Sequence, residues 1–92
     1  MTKSLCVTAV VPAAPGLLQV TWDDGVTRLV DLRAQLHGHV PLDMLNIAEV
    51  FRDVTVVPGG GGVEWANGAD FSARSLRLWS VEDTNLNERK SA

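Results

Sequence analysis

Twice in this chain a tryptophan closes a short apolar run and is followed by a turn that ends on glycine: Trp22-Asp23-Asp24-Gly25 and Trp65-Ala66-Asn67-Gly68. Asp-Gly and Asn-Gly readily supply positive φ, because glycine has no Cβ to clash and a short Asx side chain hydrogen-bonds its own backbone. Both units read as structural grammar, and neither is a reaction centre. An acid, Asp70, follows the second turn at cap distance, so Trp65 to Asp70 reads as a strand end, a turn and a cap.

The best hairpin is Leu17 to Trp22 joined to Val26 to Leu32 across Asp24-Gly25. A two-residue turn would set Trp22 opposite Thr27, Val20 opposite Leu29 and Leu18 opposite Asp31, with Leu18, Val20, Trp22 and Leu29 on the core face. The second face then carries Gln19, Thr21 and Arg28 but also Leu17, Val30 and Leu32, which is too apolar for simple solvation. Before the hairpin, Leu5 to Val11 is rich in β-branched residues and stops at the breaker cluster Pro12 to Gly16. After it, Asp43 is a candidate cap for a helix through about Asp53, with Met44, Ile47, Ala48 and Phe51 on one face. Val54 to Val57 and Val63 to Ala66 read as strands around a glycine loop, and Asp70 or Ser72 can cap a short last turn carrying Leu76 and Trp79. The order β-β-β-α-β-β predicts an α+β fold: a mostly antiparallel sheet of about five strands, one principal helix and a short C-terminal helical turn.

Size and composition bound the rest. Ninety-two residues, 46% of them hydrophobic, suit one domain, expected over residues 1–81, with a polar and frayed tail over 82–92. Such a domain has modest stability, so a partner or a second copy would help it. Eight Lys and Arg against eleven Asp and Glu leave a net charge of −3, which argues against indiscriminate nucleic-acid binding. Cys6 is the only cysteine, so neither an intrachain disulfide nor a thiolate zinc site is available. The first residues alternate like a strand and lack a signal-peptide layout, and no run approaches a membrane span, so a cytoplasmic location is expected.

Taken in order, Val20-Thr21-Trp22-Asp23-Asp24-Gly25, Val30-Asp31-Leu32, Phe51 before a strand, and Val63-Glu64-Trp65-Ala66-Asn67-Gly68-Ala69-Asp70 resemble the bacterial domain-of-unknown-function 2442 family over about residues 5–79. Ala66 stands where that family often has proline, and the Gly59–Gly62 loop is richer in glycine. The resemblance implies a small α+β fold, in proteins often encoded beside another small protein, which suggests toxin–antitoxin-like pairs. It implies no catalytic residues.

Other residues each carry a functional and a structural reading. His37-Gly38-His39 offers two imidazoles without a third ligand and reads as a polar loop rather than a metal site. Gly59 to Gly62 lacks the lysine and the following helix of a phosphate loop and reads as a flexible hairpin loop. Asp23, Asp24, Asp31 and Asp70 show no pairing in an apolar pocket, and Cys6 reads as a small buried hydrophobe. Trp22 and Trp65 read as core; Trp79 is balanced between core and surface. No cofactor is implied. The leading expectation is a non-enzymatic protein-interaction or regulatory module, with Leu17, Val30, Leu32, Arg77 and Trp79 as interface candidates. The alternatives are a nucleic-acid patch at Arg28, Arg74 and Arg77, and a small-molecule pocket near Trp65 and Asp70.

Overall fold

The structure is a computed structural model that describes residues 5–81. The fold is α+β, as the sequence predicts, but its strands form two antiparallel sheets instead of one. β1 (Val7–Ala14), β2 (Leu17–Trp22), β3 (Thr27–Asp31) and β7 (Ser80–Val81) make the first sheet in the order β1-β2-β3-β7. β4 (Thr55–Val56), β5 (Gly62–Glu64) and β6 (Asp70–Ser72) make the second. Between them run α1 (Val40–Asp43), α2 (Ala48–Phe51) and α3 (Ala73–Leu78). β6 and β7 are only three and two residues long, too short for an alternating pattern to reveal them. The predicted tail, 82–92, lies outside the described residues.

The first hairpin differs from its predicted register by one residue. Leu18 pairs with Val30, Val20 with Arg28 and Gln19 with Leu29. The cause is the turn: Trp22 N–H donates to the Val26 carbonyl and Gly25 N–H to the Trp22 carbonyl, so three residues, Asp23 to Gly25, form the loop. Gly25 sits at φ +86°, the left-handed position that such a three-residue loop requires. A one-residue slip moves every side chain of β3 to the other face. Val30 therefore joins Leu18, Val20 and Trp22 in the core, and Leu29 is 36% exposed.

The predicted helix from Asp43 to Asp53 is broken. α1 gives way to a 3-10 turn at Met44–Asn46, and Ile47 is extended (φ −87°, ψ 122°) before α2 begins. Leu45 and Phe51 are both fully buried. Six residues apart on one regular helix, they would point about 120° from each other. The break at Ile47 lets both reach the core and leaves Met44 and Ile47 facing out. Asn46 Nδ2 donates to the Leu36 and Asp43 carbonyls, a local alternative to helical pairing. Asp43 ends α1 instead of capping a helix, whereas Ser72 caps α3 as expected, its hydroxyl accepting from Ser75 N–H.

The glycine run is a packing device and not the flexible loop its composition suggests. Gly60 is buried, and its carbonyl accepts a 2.7 Å bond from Val7 N–H, joining the loop between β4 and β5 to the first sheet. A Cβ on Gly62 would lie 2.1 Å from the Phe71 carbonyl oxygen across the β5–β6 ladder, whereas one on Gly61 would meet nothing within 4 Å. Gly61→Ala is therefore expected to change the free energy of urea unfolding by less than about 1 kcal/mol. Gly62→Ala is expected to cost about 1–3 kcal/mol or more through forced displacement of β6. Equal effects on chemical denaturation would contradict this packing.

Candidate functional site

The two tryptophan-turn units adopt the same local structure. In the second, Trp65 N–H donates to the Ala69 carbonyl and Gly68 N–H to the Trp65 carbonyl, with Gly68 at φ +97°. The Asx side chain serves the same purpose in each: Asp24 Oδ1 accepts from Val26 N–H at 3.2 Å, and Asn67 Oδ1 from Ala69 N–H at 3.0 Å. Asn67, and not Asp70, is thus the side chain that accepts from the turn backbone. Asp70 instead lies in β6 opposite Glu64. Asn67 Nδ2 also donates to the Pro41 carbonyl, tying this turn to α1.

Both indoles are buried and satisfied. Trp22 Nε1 donates to the Ala73 carbonyl at 3.0 Å, and Trp65 Nε1 to the Phe51 carbonyl at 2.9 Å. Trp65 also begins a chain of ring contacts through Phe71 to Trp79, with edge-on geometry and centroids 5.9 and 5.6 Å apart. Trp79 is accordingly half-buried against the second sheet. Over Trp22 lies the Arg77 guanidinium, 4.6 Å from the ring centroid, and its Nη2 pairs with Asp24 Oδ2. Arg77 Nη1 is buried without an acceptor among the described residues, and the electron-rich ring face offsets part of that desolvation.

These contacts correct several expectations. Val30 and Leu32 are completely buried, because the three-residue turn rotates β3 inward, so the folded chain does not present them to a partner. Leu17 stays half-buried on the outer face of the first sheet. Of the three proposed nucleic-acid contacts, Arg77 is half-buried and held by Asp24 and Trp22, Arg28 is half-buried and donates to Ser80 Oγ, and Arg74 is exposed. A cleft of about 400 Å³ does open beside Trp65, lined by Asp53, Thr55, Glu64, Ala66 and Gly68. Asp70 does not line it, and the indole, 3% exposed, offers it almost no surface. His37 Nε2 bonds the Ala34 carbonyl, and among the described residues no three His, Cys, Asp or Glu side chains converge to hold a metal ion. Nor is any helix among them long and apolar enough to cross a membrane.

Among the described residues, Asp31 has a strongly displaced titration. Its pKa is lowered from 3.8 to about 2, first by the hydrogen bonds from the Arg33 side chain and next by the Arg33 backbone N–H. The pair is bidentate, with Nε and Nη2 at 3.0 and 2.7 Å, but it lies in solvent and orders only the exit from β3.

What the sequence singled out as chemistry is therefore mostly fold, and what it passed over is surface. The outer face of the first sheet carries a row across all four strands, Val11, Gln19, Leu29 and Val81, flanked by Ala9, Thr21 and Thr27. Val11 is 54% exposed. The alternation of β1 marks Val11, whereas a two-residue turn would place Leu29 in the core. A second feature, an apolar groove between the end of β1 and α2, arises from residues that read only as a breaker cluster and a helix face.

Two measurements check this assignment. Trp22→Phe removes the bond to Ala73 and should cost about 1–3 kcal/mol in urea unfolding. A double-mutant cycle over Asp24→Ala and Arg77→Ala should give a coupling of no more than about 1 kcal/mol that shrinks with salt, since Asp24 is largely in water. For Asp31 the folded pKa lies below the unfolded one. Its contribution is thus fully present above about pH 4 and is lost as pH falls toward 2. Arg33→Ala removes the guanidinium bonds but keeps the backbone N–H at residue 33, so by NMR the Asp31 pKa should rise only part of the way back toward its ordinary value, and the small destabilisation should vanish near pH 2.

A family model described as "Protein of unknown function (DUF2442)" matches residues 7–82, spanning both turn units and all seven strands. Comparisons with curated proteins and with solved structures return no match. By that match over most of its length, the chain belongs to the DUF2442 family.

Proposed function

We propose that this chain is a non-enzymatic protein-interaction or regulatory module that docks through the outer face of its first sheet. The observation that carries this reading is the contrast between the two faces of that sheet. Trp22, with Leu18, Val20 and Val30, is enclosed, while the row Val11, Gln19, Leu29 and Val81 faces away from the core without a charge. In a chain with 21% charged residues, an uncharged stripe across four strands is suited to lose its water to another protein. Asp24 and Asp31 are engaged in turn and ion-pair contacts, and Trp22, Trp65 and Trp79 in hydrogen bonds or ring contacts. The resemblance to proteins encoded beside a small partner supports a protein occupant, within a toxin–antitoxin-like pair. A nucleic-acid role has less support, since Arg77 already pairs with Asp24.

The test is co-expression with the product of the neighbouring gene, followed by light scattering and a binding titration. A stoichiometric complex is expected, weakened at least about tenfold by Leu29→Lys or Val11→Lys, because each places a charge in a desolvated patch. Both positions are exposed, so the thermal midpoint should hold. A free monomer at native expression, or a complex indifferent to both substitutions, overturns the reading. A homodimer broken by the same substitutions keeps the face and replaces the partner by a second copy.

A further inference from the structure

Where β1 ends and α2 passes beside it, the fold leaves a groove of about 310 Å³. Pro12, Ala13, Ala14 and Pro15 form one wall; Ala48, Phe51 and Arg52 form the other. The lining is almost wholly apolar, and Arg52 is its one charged residue. This volume lies at the lower end of the range of small-ligand sites, which are mostly apolar with a few placed polar groups.

We infer that this groove binds a small aliphatic carboxylate, its chain between the proline wall and Ala48–Phe51 and its carboxylate on Arg52. Three observations converge on that chemistry. The walls supply apolar contact and offer little that would reward a polar ligand body. Pro12 and Pro15 carry no backbone N–H, so this stretch of the strand gives an extended peptide few main-chain donors. Arg52 is exposed, with no ion pair to another described residue, and a planar guanidinium matches a carboxylate in bidentate fashion. Ala48 and Arg52 stand at i and i+4, so α2 and the Arg52 that ends it present small apolar surface and cation on one side, while Phe51, 2% exposed, only backs the groove. The groove is preformed: Phe51 is anchored by its carbonyl bond from Trp65 and by ring contact with it at 5.7 Å. This site is separate from the docking face and does not rest on it.

The test is a two-dimensional amide NMR titration of the full chain with octanoate, with octylamine and butyrate in parallel. Saturable shifts at Ala13, Ala14, Ala48 and Arg52 with octanoate are expected. Affinity should fall about five- to tenfold or more for octylamine and for butyrate, from the reversed charge and the shorter chain respectively. Arg52→Glu should weaken octanoate by a similar factor and leave the remaining spectrum in place, which shows the variant is folded. Absence of saturable shifts at millimolar octanoate overturns the proposal, as do shifts confined to other residues. So does equal binding of octanoate and octylamine, since the assigned cation would then play no part.

Discussion

An odd number of residues in one turn governs the first sheet. Because Asp23, Asp24 and Gly25 form a three-residue loop closed by Trp22 and Val26, β2 and β3 meet with Leu18 against Val30 and not against Asp31. The side-chain period of a strand is two, so that one residue decides which set of β3 side chains is buried. It sends Val30 inward, turns Leu29 outward and lets Leu32 follow into the core. The buried face and the uncharged outer row are two outcomes of the same turn.

The turn also brings Trp22 to the place where the sheets are fastened. Its N–H holds the Ala73 carbonyl at the start of α3, and Arg77, one turn on, reaches back over the ring to Asp24 in the turn itself. Val7, paired with Trp22 across the first sheet, donates to the Gly60 carbonyl, and Trp65 donates to that of Phe51. The bonds from Trp22, Val7 and Trp65 each use a backbone carbonyl that would otherwise have to find its own partner away from water. A small domain has little buried area to spare, which explains why its conspicuous side chains are engaged in structure. Their chemistry is real, but its product is a fixed arrangement of two small sheets.

Two surface features are ones that individual residues do not advertise. The outer row from Val11 to Val81 becomes a stripe only because four strands align it. The apolar groove becomes a groove only because α2 passes beside the end of β1. Prolines that in isolation signal the end of a strand become a rigid wall, and an arginine on a broken helix becomes the one charge inside an apolar lining.

The sequence by itself determined the α+β class, the family and the identity of both turns. Asx-Gly after a tryptophan carries its conformational preference within four residues, and Ser72 caps α3 with an equally local bond. The first hairpin's existence was legible for that reason, whereas its register was not: loops of two and three residues share the Asp-Gly signal and differ only in which pair of backbone groups closes. The helix face of Met44, Ile47, Ala48 and Phe51 was read from periodicity, yet Leu45 also had to reach the core. On one regular helix Leu45 and Phe51 would point about 120° apart, and the break at Ile47 brings both into the core. β6 and β7 were invisible because strands of three and two residues are held by their neighbours and not by their own pattern. Gly60 and Gly62 looked flexible because close approach is a property of the other strand, which the local sequence does not contain. Only the tertiary structure decided which faces are buried, since burial depends on partners distant in the chain and local preference extends over a few residues.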